Sequence, residues 1–359
     1  MSIPPTTPVR FPSGVVSALA AAALFGASTP LSKLLLSEVS PVLLAGLLYL
    51  GSGFGLSGWL LVRSGLNRGD PKEAPLKRAD LPWLAAAILF GGVVGPVLLM
   101  AGLATTPAAD ASLLLNLEGV LTALLAWFVF KENFDRRIAL GMACITGGGV
   151  LLSWGGSPSG ELPWGTLAIA GACLAWGIDN NFTRKVSASD PIQIAAIKGL
   201  VAGGVNLVIA VSIGSSFPPV GTLLACGAVG FLGYGVSLTC FVLALRHLGT
   251  ARTGAYFSLA PFVGAALSLL IFREGFTLAL LAASALMAVG LWLHLTERHE
   301  HEHKHDPQRH DHSHVHDEHH QHTHGPDDPV GEPHSHPHDH AALSHAHPHF
   351  PDIHHRHEH

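Results

Sequence analysis

The chain has 359 residues, of which 48% are hydrophobic and 13% are charged, and its formal net charge is −5 at pH 7. A soluble globular domain carries roughly 25% charged residues, so this composition excludes an ordinary soluble domain. The charged residues are concentrated in short loops and in the C-terminal tail, which leaves a body apolar enough for a membrane protein.

Ten apolar segments approach the length of about 20 residues that a helix needs to cross a bilayer. They lie at about residues 13–36, 41–62, 81–103, 108–130, 136–154, 163–183, 191–213, 219–245, 251–272 and 276–296. Turn signals rich in Gly, Pro and Ser separate several of them. We therefore predict an all-α membrane protein with ten transmembrane helices.

The fourth and ninth segments end in the same way. LEGVLTALLAWFVFKENF, which begins at Leu117, recurs 142 residues later as LAPFVGAALSLLIFREGF, which begins at Leu259. We predict two five-helix repeats, at 13–154 and 163–296, joined by a linker at 155–162. Five is an odd number, so the second repeat enters the membrane upside down. Such inverted repeats place the substrate site of many transporters near the middle of the membrane, between the halves.

Basic residues in short loops predict the orientation, because they favour the cytoplasmic side. The loops after the second, fourth, sixth and eighth segments carry Arg63, Arg68, Lys72, Lys77, Arg78, Lys131, Arg136, Arg137, Arg184, Lys185, Arg246 and Arg252. The opposite side has only Lys33 and Arg273. We therefore predict an inner or plasma membrane protein whose N-terminal segment, 1–12, and C-terminal tail, 297–359, are cytoplasmic.

These features resemble the drug/metabolite transporter superfamily, and specifically its EamA-type members, over residues 13–296. The resemblance rests on the FG pair at Phe25, the WG pair at Trp176, and the two repeat ends quoted above. The family has Glu-Pro where the repeat turns polar, whereas here Glu118 lacks the proline and Pro261 lacks the acid. The resemblance implies a ten-helix bundle that moves small solutes by alternating access and carries out no covalent chemistry.

The sequence gives no sign of an enzyme. It contains no Walker loop, dinucleotide fingerprint, HExxH motif or nucleophile elbow. We therefore expect a secondary transporter, with the lipid bilayer, a small-molecule substrate and a proton or other ion gradient as partners. We expect no nucleic acid partner and no required cofactor.

Two polar residues lie close to the middle of the fourth segment. An ionisable group at this depth costs at least about 2.5–3.5 kcal/mol on insertion scales, so Glu118 needs a partner or a cavity. It could carry a proton that is coupled to substrate movement, or it could be a hydrogen-bonded residue that packs two helices. Asn116 lies two positions away on a different helical face, where we expect an interhelical hydrogen bond.

Two charged residues on neighbouring antiparallel helices are predicted to lie at the same depth. Asp179 lies five residues before Arg184, and Lys198 lies seven residues after Pro191. At 1.5 Å per residue, both fall roughly 7–10 Å from the inner boundary, so they could meet. They would then form either an inner gate or substrate anchor, or a fixed structural ion pair.

Aromatic and amide side chains mark a possible pocket in helices that are otherwise rich in Leu, Ala and Gly. Aromatic groups with a few hydrogen-bonding groups suit amphipathic metabolites, although most single aromatics only pack. These candidate substrate contacts are Trp176, Asn180, Asn181, Tyr234, Tyr256 and Ser258.

The C-terminal tail is rich in histidine, since all but His247 and His294 of the 25 histidines lie at or beyond His299. Without apolar periodicity the tail cannot bury a core, so we predict that it is disordered. Neutral imidazole is a good ligand for Zn, Ni, Co or Cu. The predicted metal ligands are His299, His301, His303, His305, His310, His312, His314, His316, His334, His336, His338 and His340.

Two functions are compatible with this tail. In one, the membrane body transports small organic metabolites or drugs and the tail binds divalent metal. In the other, the protein transports or regulates a divalent metal such as Ni, Co or Zn and uses the tail to collect it. The predicted helices contain no HxxxH, no HxxE and no carboxylate cluster, which favours the organic solute.

Overall fold

The computed structural model describes residues 13–66, 76–130, 136–154, 163–186, 189–295, 300–305, 308–314, 334–340 and 343–348. The predicted N-terminal segment, the linker at 155–162 and the turn around Lys131 lie outside the described residues.

The described body consists of helices whose boundaries follow the apolar segments. In the first half they are α1 Ser13–Leu35, α2 Pro41–Leu66, α3 Leu81–Ala87, α4 Gly95–Thr105, α5 Ala108–Leu114, α6 Leu117–Phe130 and α7 Arg136–Trp154. In the second half they are α8 Trp164–Val186, α9 Pro191–Ser212, α10 Val220–Gly230, α11 Ser237–Phe257, α12 Ala260–Phe272 and α13 Leu278–Leu295.

Local sequence explains where several helices begin. Proline is tolerated in the first helical turn, where no N–H partner is lost, and Pro41 and Pro191 open α2 and α9. Asp190 caps α9, since its Oδ1 accepts hydrogen bonds from the backbone N–H of Ile192 at 2.9 Å and of Gln193 at 3.4 Å. The polar turn at the start of α9 is therefore fixed by its own side chain.

Six described stretches are long and apolar enough to cross a membrane. They are Gly14–Leu35, Pro41–Arg63, Arg78–Thr105, Ala108–Leu125, Pro191–Ser212 and Val220–Ala244. Three shorter apolar helices lie at Ala139–Leu152, Ala260–Phe272 and Leu278–Leu293. The remaining long helix, α8, has 23 residues and contains the polar run DNNFTRK. The described body is that of a multi-pass membrane protein.

Four of the predicted spans are not regular α-helices. A π-helical turn, Ile88–Val94, joins α3 to α4, and a second one, Phe231–Val236, joins α10 to α11. Two residues in a turn separate α5 from α6, and two more separate α11 from α12. The sequence predicts a loop between the eighth and ninth segments. This prediction is wrong, because α11 continues as a helix through these residues to Phe257. No proline interrupts this stretch until Pro261, in the first turn of α12.

The helices pack in pairs that join the two halves. The centre is the contact of α2 with α9, flanked by α1 against α11 and α12 and by α4 against α8. Glycines allow the central backbones to touch. A Cβ on Gly53 would lie 2.5 Å from the backbone N of Leu200, and one on Gly199 would lie 2.5 Å from the backbone N of Gly53. Small residues permit this close approach in membrane helices.

Four strands lie in the C-terminal tail. β1 Glu300–His305 pairs antiparallel with β4 Leu343–Pro348, and β2 Gln308–His314 pairs antiparallel with β3 His334–His340. The prediction of a wholly disordered tail therefore differs from the structure over these four segments. The repeated HxH pattern has the two-residue period of a strand, and the antiparallel pairing satisfies backbone hydrogen bonds of the paired strands.

Candidate functional site

The π-helical turn between α3 and α4 presents two backbone carbonyls to side chains from three other helices. Gly91 O accepts hydrogen bonds from the hydroxyl of Tyr49 at 2.6 Å and from the indole N–H of Trp176 at 3.0 Å. Gly92 O accepts one from the side-chain amide of Asn206 at 2.9 Å. Such turns are frequent at functional sites because they change the direction of backbone groups. This turn binds α2, α8 and α9 together near mid-bundle.

An aromatic cluster formed by Phe25, Tyr49, Trp176, Tyr234 and Phe257 adjoins this turn through Tyr49 and Trp176. The ring of Phe25 lies 6.2 Å from that of Trp176, 5.9 Å from that of Tyr234 and 5.5 Å from that of Phe257. Tyr49 lies 5.4 Å from Tyr234. Aromatic pairs favour such tilted and edge-to-face geometries. The cluster brings together residues of α1, α2, α8 and α11 and of the second π-helical turn, so both halves contribute to it.

Asp179 and Lys198 form the ion pair that their predicted depths allowed. The Nζ of Lys198 lies 2.7 Å from Oδ1 and 2.5 Å from Oδ2 of Asp179, and both side chains are only 9% exposed. The hydroxyl of Thr183, one turn along α8, donates to Oδ1 at 2.9 Å. A Cβ on Gly91 would lie 1.9 Å from Oδ2. The π-helical turn therefore needs glycine at this position to admit the carboxylate.

Glu118 lies in the first turn of α6, just after the break that separates α5 from α6. Its Oε1 accepts a hydrogen bond from the side-chain amide of Asn180 at 2.8 Å. A helix N-terminus stabilises a nearby negative charge. Glu118 is partly exposed and Asn180 is exposed, while a Cβ on the adjacent Gly119 would meet no atom within 4 Å. This carboxylate therefore borders open space.

The other predicted contacts lie elsewhere. Asn116 is buried and donates to Leu113 O at 3.0 Å, and its amide lies 3.9 Å from the sulfur of Met287 on α13. It lies at the packing interface with α13, and its shorter hydrogen bond is local. Tyr256 and Ser258 are partly exposed and flank Phe257 at the end of α11.

Asn181 also lies apart from Glu118. Its amide donates within α8, to Gly177 O at 2.8 Å. Of the predicted contacts, three lie in one region with Glu118 and the ion pair: Trp176, Tyr234 and Asn180.

Several residues of this region were not predicted as site residues. They are Phe25, Tyr49, Thr183, Asn206 and Phe257. Tyr49 is one of only three tyrosines in the chain, and Asn206 is a fully buried amide in an apolar helix. Buried polar groups need partners, so both residues carried a signal in the sequence. Phe25 and Phe257 resemble ordinary packing residues in the sequence, and only the structure shows that they meet.

Metal ligands were predicted only in the tail. Among the side chains that the structure describes, no group of three His, Cys, Asp or Glu could hold a metal ion. His299 and His316 lie outside the described residues. The other predicted ligands lie in β1, β2 and β3, where the structure describes the backbone pairing.

Comparison with known proteins gives consistent matches over the helical body. A family model described as the EamA-like transporter family matches residues 12–154 and 163–296. An uncharacterized transporter of Methanothermobacter thermautotrophicus is 29% identical over 295 residues, covering 78% of this chain and 85% of that protein. The uncharacterized inner membrane transporter YedA of Escherichia coli K12 is 25% identical over 233 residues, covering 62% of this chain and 71% of YedA.

The fold also resembles that of a solved protein. One crystal structure superposes with a TM-score of 0.58 at 20% sequence identity, and the match covers 79% of this chain and 97% of that one. This similarity concerns the fold alone.

Proposed function

The chain belongs to the EamA-like transporter family, and we propose that it is a secondary transporter that moves small organic metabolites or drugs by alternating access. The observation that carries the proposal is the convergence of Glu118, Asn180 and the aromatic cluster at mid-bundle. Phe25 and Phe257 are partly exposed there, as is Glu118. Aromatic walls with a few hydrogen-bonding groups suit amphipathic solutes.

The proposed architecture is ten transmembrane helices in two inverted five-helix repeats, with both termini in the cytoplasm and the body in the inner membrane. The family model matches the two halves separately. Each half contains one π-helical turn and one span that is broken in its middle, and these irregularities occupy corresponding places. Broken helices near mid-membrane are typical of transporter substrate sites. YedA, a relative, is named as an inner membrane transporter.

A transport assay tests this function directly. Purified protein is reconstituted in liposomes and screened with labelled amphipathic metabolites and drugs. We expect saturable uptake, and we expect Phe25→Ala to raise the KM at least about tenfold, because it removes the ring that contacts three other rings of the cluster. Phe182→Ala is the matched control, since Phe182 pairs instead with Trp83 and Phe90. Uptake no greater than in empty liposomes, or an unchanged KM in Phe25→Ala, would contradict the proposal.

The tail is proposed to bind divalent metal, with Zn, Ni, Co or Cu as candidates. The strand register supports this, because it places histidines directly opposite one another. The opposed pairs are His310 and His338, His312 and His336, His314 and His334, His301 and His347, and His303 and His345. Directly opposed positions have Cβ atoms about 4.5–5.5 Å apart, and positions two residues apart share a face. Two adjacent pairs place four imidazole positions on one face of a ladder.

Deletion of the residues after Arg298 separates this role from transport. We expect calorimetric titration with Ni or Zn to show binding by the full chain and little by the truncated one, while uptake of the organic solute is unchanged. The alternative is a transporter or regulator of divalent metal. Labelled Ni, Co or Zn that enters liposomes at a rate unaffected by the truncation would favour metal transport by the membrane body.

A further inference from the structure

One turn of the bundle is held by charged side chains from two other helices. This turn joins α4 to α5 at residues 104–108 and lies on the face that the sequence predicts to be extracytoplasmic, called here the outer face. Lys33, near the end of α1, donates from Nζ to Leu103 O at 2.5 Å, Ala104 O at 3.2 Å and Thr106 O at 3.0 Å. These carbonyls belong to the end of α4, where a helix has unpaired acceptors and favours a positive charge.

A carboxylate holds the other side of the same turn. Oε1 of Glu274 accepts from the backbone N–H of Ala108 at 2.9 Å, and Oε2 accepts from that of Ala109 at 3.1 Å. Glu274 thus caps the start of α5. It directly follows Arg273, which ends α12 in the left-handed region at φ 52° and is the single non-glycine residue with positive φ in the described part of the chain. Such a conformation persists only when its surroundings hold it.

The two side chains join helices from opposite halves. Lys33 extends from α1 and Glu274 from the end of α12, and both hold the α4–α5 turn. Below this turn the three helices are in contact. A Cβ on Gly264 would lie 2.8 Å from Gly26 O and 2.9 Å from the hydroxyl oxygen of Ser112, which is completely buried. The region between the turn and the aromatic cluster is therefore closed to the outer face.

Toward the opposite face the packing partners change. α5 packs against α12, but after the break α6 packs against α8 and α7, and α11 packs against α1. Glu118 and Gly119 lie at this divergence, beside open space. The bundle is thus closed on the outer side of the candidate site.

We propose that Lys33 and Glu274 form a clasp that locks the outer gate, and that the structure shows the outer-closed state of the transport cycle. The clasp rests on the proposed alternating-access function. Opening the outer side requires α1 and α12 to release the α4–α5 turn, which breaks all five charge-assisted hydrogen bonds. Such bonds are stronger than those between neutral groups, so each charge contributes to the preference for the closed state.

Cysteine accessibility tests the clasp without any substrate. Ser112→Cys is introduced at the buried contact, in full-length protein whose four native cysteines are replaced by alanine. A small, membrane-impermeant cationic methanethiosulfonate is applied to right-side-out vesicles. We expect Lys33→Met and Glu274→Ala each to increase the labelling rate of this cysteine about tenfold or more, and the double variant to increase it further. Glu274→Gln should have a smaller effect, because its amide oxygen can still accept one bond.

Two controls accompany this experiment. Glu38→Gln changes an exposed carboxylate after α1 that makes none of the clasp's hydrogen bonds, so the labelling rate of Ser112→Cys in this variant should match the rate measured with the clasp intact. Ser216→Cys, exposed in the turn between α9 and α10, should label equally in every variant and shows that the protein is folded and inserted. Unchanged labelling of Ser112→Cys in the double variant would overturn the clasp, whatever the transport assay shows. If the labelling rate increases as expected but no solute uptake is measured, the result supports the clasp and contradicts the proposed transport of organic solutes.

Discussion

The ion pair between Asp179 and Lys198 yields a quantitative prediction. The perturbation is Lys198→Met, which keeps much of the side-chain volume and removes the charge. Both carboxylate oxygens of Asp179 lose their closest partner, while the hydrogen bond from Thr183 at 2.9 Å remains. The carboxylate is left about nine-tenths buried with a single side-chain donor.

The expected destabilisation follows from that burial. Removal of one partner of a buried ion pair costs about 3–5 kcal/mol, because the other charge stays buried and unpaired, whereas replacement of both partners by neutral groups of similar volume is often close to neutral. The double variant Asp179→Asn, Lys198→Met should therefore be more stable than Lys198→Met alone. Residues in direct contact show coupling energies of about 0.5–3 kcal/mol, and this pair should lie toward the upper end.

Thermal unfolding of the purified protein in detergent measures this order. We expect the wild type to have the highest apparent unfolding temperature, the double variant an intermediate one and Lys198→Met the lowest. Arg136→Met, which removes an exposed cation at the start of α7, should leave the temperature nearly unchanged. A double variant that unfolds at or below the unfolding temperature of Lys198→Met would refute the reasoning. The charge-swapped protein, Asp179→Lys with Lys198→Asp, should also keep more transport than either neutral single variant.

Two further predictions concern neighbouring residues. Glu118→Gln should remove the dependence of solute uptake on an imposed pH gradient. The hydrogen bond with Asn180 should remain, since the amide oxygen of glutamine still accepts. Uptake that still follows the gradient would exclude this carboxylate as the proton carrier. Gly91→Ala should destabilise the protein by about 1–3 kcal/mol, a typical overpacking cost, because the added Cβ would overlap Asp179. Gly204→Ala is the control on α9, since a Cβ there meets nothing within 4 Å. Equal unfolding temperatures for the two variants would contradict the overlap.

Sequence reasoning succeeded where one helix at a time decides the outcome. The bounds of α1 and α9 follow from apolar length and from Pro191 with its cap. The contact of Asp179 with Lys198 follows from depth alone, because two antiparallel neighbours of known register place residues at computable heights.

The rest depends on contacts between distant segments. Nothing near Gly91 in the chain indicates that Tyr49 and Trp176 will donate to its carbonyl, because that bond requires three helices to be placed first. Lys33 was recognised only as an unusual basic residue on the outer side, and Glu274 only as part of a repeated motif. Their shared role depends on the position of the α4–α5 turn, and the residues next to Lys33 and Glu274 in the sequence do not indicate that position.

The clasp and the candidate site are mechanically connected through α1. Lys33 lies eight residues after Phe25, which is about 12 Å along a helix, so the residue that holds the outer turn and the residue at the centre of the aromatic cluster lie on the same helix, on either side of Pro30. Between them, α1 contacts α12 so closely that a Cβ on Gly26 would lie 2.4 Å from Ala260 O. A movement of α1 as one unit that releases the outer turn would also displace Phe25 relative to Trp176, and opening of the gate and rearrangement of the substrate site would then be a single event. A bend at Pro30, which lacks a backbone N–H, would instead release the turn without moving Phe25.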